Sequence, residues 1–185
     1  MKSTIDLQHT LKACLRGDPR AQHRLYQQYV KAMYHLAIRI VSERMEAEDV
    51  VQEAFIQVFK NLHQFKGDAT IGAWIKRITI NIALNKLKKQ QKVQWIDQEA
   101  IPEQVSETEK VPSAWKVADI HAAIKKLPAG SRVVVTLHLL EGYQHQEIAQ
   151  ILDISTSTSK SQYYRGKKLL QQLLKKNKVR AYARS

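Results

Sequence analysis

Three groups of side chains in this sequence have the types and spacing to recognise other molecules. The first lies in 144–170, QHQEIAQILDISTSTSKSQYYRGKKLL. A short helix, a turn at Asp153, Ile154 and Ser155, and a longer helix make a helix-turn-helix. Ala149 is small enough to let the two helices cross closely, and Ile148, Ile151 and Ile154 fill the angle between them. In such a unit the N-terminal half of the second helix faces a DNA major groove. Ser157, Lys160, Ser161, Tyr164, Arg165 and Lys168 fall on its outward stripe, a mixture suited to phosphate and base-edge contacts. The same pattern also suits a solvated helix in an ordinary bundle.

The second group is in FKGDATIGAWIKRITINIALN, 65–85. Trp74, Arg77, Asn81, Asn85 and Lys88 recur at spacings of three and four. Bases stack on aromatics, cations hold the backbone and amides meet exposed base edges, so the stripe suits single-stranded nucleic acid. Trp74 would equally suit a core position. The third group is acidic: Asp49, Gln52 and Glu53 project from one side of a helix, with Glu46 a turn earlier. It reads either as a solvated face balancing nearby lysines or as a docking patch for a basic partner. A DNA surface would be repelled by it, so it should point away from nucleic acid.

Catalytic chemistry finds no foothold. The seven histidines (His9, His23, His35, His63, His121, His138, His145) are scattered, none paired with carboxylates at metal-ligand spacing. No Gly-rich phosphate loop or nucleophile elbow occurs. The single cysteine, Cys14, excludes an intramolecular disulfide framework and any cysteine-based zinc site. The expectation is no enzyme, no cofactor, no metal and no small-molecule substrate.

Helical spacing accounts for the elements that must carry these groups. Leu7, Leu11 and Leu15 mark a first helix stopped at Gly17, Asp18 and Pro19. A second spans 20–41, with Leu25, Tyr29, Met33, Leu36 and Ile40 inward. Ser42 is the expected N-cap of a third, in which Val51, Ala54, Phe55, Val58 and Leu62 share a face. A fourth, from about 70 to 90, has Ile71, Ile75, Ile78 and Ile82 as its buried line. Later come a helix ending at Pro128, an apolar helix over 133–140 closed by Gly142, the short helix 144–152 and a final helix over 156–175. Val133 to Val135 has strand propensity, but helical neighbours outweigh it.

Charge divides the chain in the same way. Of 185 residues, 1–90 hold 15 basic and 8 acidic side chains, 91–115 hold 2 and 5, and 116–185 hold 13 and 4. The formal net charge of +13 calls for a polyanionic partner. The acidic middle contains Pro102 and Pro112 and reads as a linker, in which Trp95 and Ile96 are unusual residues to leave in water. Neither an apolar leader nor a run of about 18 apolar residues occurs, so the expected location is the cytoplasm.

Together these units resemble a bacterial RNA polymerase sigma factor of the extracytoplasmic-function (ECF) type. The resemblance rests on RLYQQYVKAMYHLAIRI (24–40), AEDVVQEAFIQVFKNLHQF (47–65), the 65–85 segment and the stretch 126–170. Residues 48–55 and the pattern FxGDxxxxxWxxRIxxN are its specific parts. It implies an all-α fold: two small helical domains joined by a flexible linker, the second containing the helix-turn-helix. The domains would be 1–92, for core polymerase binding and minus-ten recognition and melting, and 116–185, for minus-thirty-five recognition, with the linker over 93–115.

By the same resemblance, Asp49, Gln52 and Glu53 would dock on core RNA polymerase. Phe65, Lys66, Gly67 and Asp68, with Trp74, Arg77, Asn81 and Asn85, would take the melted non-template strand of promoter DNA. Ser157, Thr158, Lys160, Ser161, Tyr164, Arg165 and Lys168 would read the promoter duplex. An anti-sigma factor, commonly membrane-bound in such systems, would hold the protein inactive. The last helix departs from the family, which usually has Gly, Val, Arg and Ala where this chain has Ser157, Ser159, Gln162 and Gly166. A stand-alone helix-turn-helix regulator is the alternative, although no heptad seam or ligand domain supports the dimer it would need.

Overall fold

The computed structural model describes residues 2–90 and 117–182, and its regular elements are all helical. Internal contacts divide the chain into Met1–Gln90 and Gln91–Ser185. The linker expected over 93–115, with Trp95 and Ile96, lies outside the described residues.

Helices α1 (Lys2–Leu15), α2 (Pro19–Val41), α3 (Arg44–Asn61) and α4 (Ile71–Lys89) build the first unit, with a 3-10 turn (Leu62–Gln64) behind α3. Asp18 starts α2: its carboxylate accepts from the backbone N–H of Arg20 at 2.8 Å and of Ala21 at 3.3 Å. Pro19 follows, having no N–H to leave unpaired. Ser42 corrects the sequence reading. It closes α2 in the left-handed conformation, φ 71°, and its N–H reaches the Ile38 carbonyl. An N-cap needs extended backbone, so one residue cannot both end α2 this way and cap α3. Glu43 caps α3 instead, accepting from Met45 N–H at 3.1 Å and Glu46 N–H at 2.8 Å.

Helices α2, α3 and α4 pack against one another pairwise, and α1 lies on α2. Leu25, Leu36, Ile40, Val50, Val58, Ile75, Ile80 and Leu87 are completely enclosed. The inward face expected of α3 is buried throughout. Two other lines shift. Leu15 is 54% exposed, and the end of α1 buries Ala13 and Cys14. In α4 the buried set passes from Ile71 and Ile75 to Thr79, Ile80, Ala83, Leu84 and Leu87, with Ile78 and Ile82 half-buried. A helix wedged between two others buries a broad face rather than a single line.

The second unit contains α5 (Val117–Lys125), α6 (Ala129–Val135), α7 (His145–Leu152) and α8 (Thr156–Tyr182). The apolar helix expected over 133–140 is α-helical only as far as Val135 and then forms a π turn (Thr136–Leu140). There the Glu141 N–H bonds to the Thr136 carbonyl, five residues back, at 3.1 Å. Gly142, at φ 80°, turns the chain into α7. Ile124, Leu137, Ile148 and Leu152 are fully buried, and Leu170 and Leu174 of α8 pack with Ala123, Ile124 and Leu127. Among the described residues, no helix is long and apolar enough to cross a membrane.

Candidate nucleic-acid and docking surfaces

The helix-turn-helix is built from local hydrogen bonds. At the start of α7, the Gln144 N–H donates to the Glu147 carboxylate at 2.7 Å. Asp153 ends the helix left-handed, φ 57°, a conformation Asp tolerates better than most residues. The Ser155 hydroxyl oxygen then accepts from the Thr158 N–H at 3.0 Å and opens α8. Ile148 is enclosed in the angle, while Ile151 and Ile154 are half-buried.

On α8, Ser157, Lys160 and Lys168 are exposed, and Tyr164 and Arg165 are half-buried. Thr158 and Ser161 depart from the expected outward stripe: they are only 3% and 5% exposed. The Ser161 hydroxyl donates to the Thr158 carbonyl at 3.0 Å, and the Thr158 hydroxyl shares a 2.7 Å bond with Ser155. Both stand on the side of α8 that also buries Ser159 and Gln162, facing the rest of the unit and not outward.

The same side explains three family departures. Ser159 is fully buried, and its hydroxyl lies 2.9 Å from His145 Nδ1. Gln162 is buried against Ser131 of α6, accepting that hydroxyl at 2.8 Å. At Gly166 an added Cβ would lie 2.5 Å from a Val135 methyl and 3.3 Å from the Ser131 carbonyl oxygen. The glycine sits in mid-helix because α6 passes too close for any side chain. Ser157, the fourth departure, is exposed and bonds to Ser155 at 2.7 Å.

In the first unit, Thr70 caps α4, its hydroxyl accepting from the Ala73 N–H at 3.2 Å. Arg77, Asn81, Asn85 and Lys88 are exposed along α4, and Trp74 is half-buried with its ring centroid 5.6 Å from that of Phe65. The structure therefore sets Phe65 of the loop beside Trp74, where the stripe begins. Lys66, Gly67 and Asp68 are exposed beyond Phe65. Gly67 has φ 84° and open space where a Cβ would be, so backbone conformation is what requires glycine.

Asp49, Gln52 and Glu53 are exposed on α3 as expected. Asp49 also bonds Lys86 of α4 at 2.7 Å, and Glu46 accepts from Gln90 at 2.7 Å. The Asp49–Lys86 pair is open to solvent and contributes less than about 1 kcal/mol. Lys86 is turned about 100° round the helix from Asn85, so the acidic face and the stripe point in different directions. Gln52 borders a groove of about 460 Å³ between α2 and α3, walled by Tyr26, Tyr34 and Val51 with an Arg44–Glu48 ion pair on its rim. Met45 and Ile56, 63% and 64% exposed, share a spacing of four, three and four with Asp49 and Gln52. The sequence reading missed them, although the period of α3 places them opposite its apolar face.

Comparison with known proteins gives two family matches, one in each unit: sigma-70 region 2 over 25–93 and sigma-70 region 4 over 118–170. The ECF RNA polymerase sigma-E factor of Escherichia coli K12 is 30% identical over 167 residues, covering 84% of this chain and 87% of that one. The chain belongs to the ECF sigma factors. The RNA polymerase sigma-H factor of Pseudomonas aeruginosa is 29% identical over 179 residues, with 90% and 93% coverage. Among solved structures, the sigma factor RpoE in complex with the anti-sigma factor NepR from Bartonella quintana resembles this sigma factor in fold. Its TM-score is 0.56 at 22% identity, covering 83% of this chain and 96% of that one. CnrH in complex with the cytosolic domain of CnrY gives 0.53 at 21%, covering 90% and 95%. Among the described residues, no three His, Cys, Asp or Glu side chains are grouped to hold a metal ion.

Proposed function

We propose that this sigma factor binds core RNA polymerase in the cytoplasm, brings it to promoters and helps open them, without a catalytic site of its own. The first unit, within 1–92, docks through Asp49, Gln52 and Glu53, with Met45 and Ile56 as apolar anchors on the same face. Its loop Phe65, Lys66, Gly67 and Asp68, with Trp74, Arg77, Asn81 and Asn85, takes the melted non-template strand of the minus-ten element. The second unit, within 116–185, reads the minus-thirty-five duplex through Ser157, Lys160, Tyr164 and Arg165, while Lys168 holds phosphate. Residues 93–115 join the two, and an anti-sigma factor keeps the protein inactive until it is needed.

The observation that carries this reading is the grouping at the start of α4. An aromatic pair stands beside a loop that needs glycine, and an exposed arginine and two exposed amides continue from it along one side of α4. A duplex reader alone has no use for such a site, because a base must leave its stack to reach it. Asn81 offers donor and acceptor together for a base edge. Asn81→Ala should therefore leave core binding intact and reduce opening of a duplex promoter. A template mismatched across the minus-ten region should recover part of the lost transcription, since unpairing, a cost of a few kcal/mol, is already done. Permanganate footprinting of unpaired thymines reads the result. Opening at the unmutated level would place the base site elsewhere.

A further inference from the structure

In the second unit the imidazoles of His138 and His145 are stacked, ring centroids 4.3 Å apart and planes 19° from parallel. They tie three elements together. His138 belongs to the π turn, His145 is the first residue of α7, and Tyr163 of α8 meets both rings edge-on at 4.6 and 5.5 Å. Each ring is also fixed at Nδ1. That of His138 lies 2.8 Å from the Tyr143 carbonyl oxygen, which can only accept, so His138 carries hydrogen there and donates. That of His145 lies 2.9 Å from the hydroxyl of Ser159, fully buried in α8. Ser159 adjoins Lys160 in the chain, so this bond holds α8 where its reading side chains begin.

Protonation acts directly on this joint. A neutral His145 ring can accept from the Ser159 hydroxyl, whereas an imidazolium donates from both nitrogens and forces that hydroxyl to accept. His145 faces His138 from the π turn, and Tyr163 and Lys160 from α8. The two groups whose charge bears on it, His138 and Lys160, both act against a second positive charge. Burial foremost, and then these two groups, hold the His145 imidazole below its ordinary 6.5. The Tyr163 phenol is pushed up by burial and stays neutral. A base held low in the seated helix binds its proton more readily when the helix is unseated. Seating is thus fully supported above about pH 6.5 and is lost as pH falls below it.

We propose that His145, with Ser159 and His138, is a positioning residue for duplex recognition: the joint seats α8 while His145 is neutral and releases it when acid charges that ring. This rests on the reading of α8 as the duplex-binding helix. The sign separates the joint from general electrostatics. Acid adds charge to a chain with seven histidines and by itself tightens binding to a polyanion. The joint predicts the reverse.

The experiment uses the full chain and duplexes that it enriches from a random-sequence pool at about pH 7.5, with dissociation constants then measured down to about pH 5.5 at constant ionic strength. The unmutated chain should lose about five- to tenfold in affinity across that range, one linked proton giving at most about tenfold per pH unit. His145→Gln should show a flat profile or tighter binding in acid. If circular dichroism finds that variant unfolded, His138→Gln takes its place: without the second imidazole the His145 ring is held less far below its ordinary value, so the loss of affinity in acid should be smaller. Variant profiles that coincide with the unmutated one, or an unmutated chain that binds more tightly in acid, overturn the joint. A chain that enriches no duplex at about pH 7.5 overturns the reading of α8, and the joint with it.

Discussion

Helices α4 and α8 each present a stripe suited to nucleic acid, yet they rest on unlike beds. Among the described residues, the buried polar side chains of the first unit are Thr10 and Thr79 alone. Thr79 satisfies itself by donating to the Ile75 carbonyl at 3.0 Å. The second unit buries seven: Ser131, Arg132, Thr136, Thr158, Ser159, Ser161 and Gln162. Four of these lie on α8 itself. Helix α4 is held by apolar volume, which is indifferent to direction. The seat of α8 depends on hydrogen bonds with one correct geometry and on backbones brought close at Gly166. Under the proposed function, the first arrangement would suit a helix that stays fixed while DNA strands separate beside it. The second lets a few bonds set the angle at which a duplex is met.

The largest test of this contrast is Ile75→Ala. Ile75 is completely enclosed beside Trp74, and removing a buried isoleucine side chain costs about 2–5 kcal/mol. Denaturant unfolding of the full chain should show the loss in the transition of the first unit. A cost below about 1 kcal/mol would mean that apolar packing is not what holds α4.

Next in size is the Ser131–Gln162 pair. Ser131→Ala leaves the Gln162 carbonyl oxygen buried without its donor, a loss of about 1–3 kcal/mol. Exchanging both partners for apolar residues, Ser131→Ala with Gln162→Met, should recover most of it. A double-mutant cycle measures the coupling, and strictly additive losses would remove the hydrogen bond from the account.

Gly166→Ala gives a smaller effect, but with a decisive sign. Helix propensity alone favours alanine by about 1 kcal/mol. The new methyl would press on Val135, fully buried and β-branched, and on the Ser131 backbone, where overpacking costs about 1–3 kcal/mol. The variant should therefore melt at a lower temperature than the parent. A higher melting temperature would show that α6 yields.

The beds differ in how readily sequence betrays them. Apolar period placed α2, α3 and the start of α4 correctly, because leucine and isoleucine at three- and four-residue spacing have few other uses. It misjudged Ile78 and Ile82 because nothing local says that α4 is wedged between two helices. In the second unit, the helix-turn-helix was visible from its turn and its isoleucines. The orientation of Thr158 and Ser161 was not, since a hydroxyl serves equally well on a surface or in a satisfied interior. Gly166 looked like a defect until α6 was seen against it. The pairing of His138 with His145 depends on a π turn and on Gly142, which together fold seven residues of chain back on themselves. The role of Asp49 as partner to Lys86, 37 residues away, likewise depends on packing that no local pattern encodes.

The last effects, on binding and not on stability, separate the two kinds of contact proposed for α8. Lys168 is exposed, three residues beyond Arg165 along the helix, and in the proposed reading a point charge there would hold phosphate whatever the sequence. Lys168→Ala should weaken all duplexes alike and lower the slope of log affinity against log salt by about 1. Arg165 is half-buried, and a guanidinium there would offer a planar fork of donors that matches one base edge. Arg165→Ala should relax preference at a single position, by about 1–3 kcal/mol between the right base and the wrong ones. Sites selected from random duplexes, together with a salt titration for each variant, measure both quantities at once. If Arg165→Ala selected the parent's sites and changed only the salt slope, Arg165 too would be a phosphate contact. Base reading would then fall to Lys160 and Tyr164, next to the Ser159 bond that seats the helix.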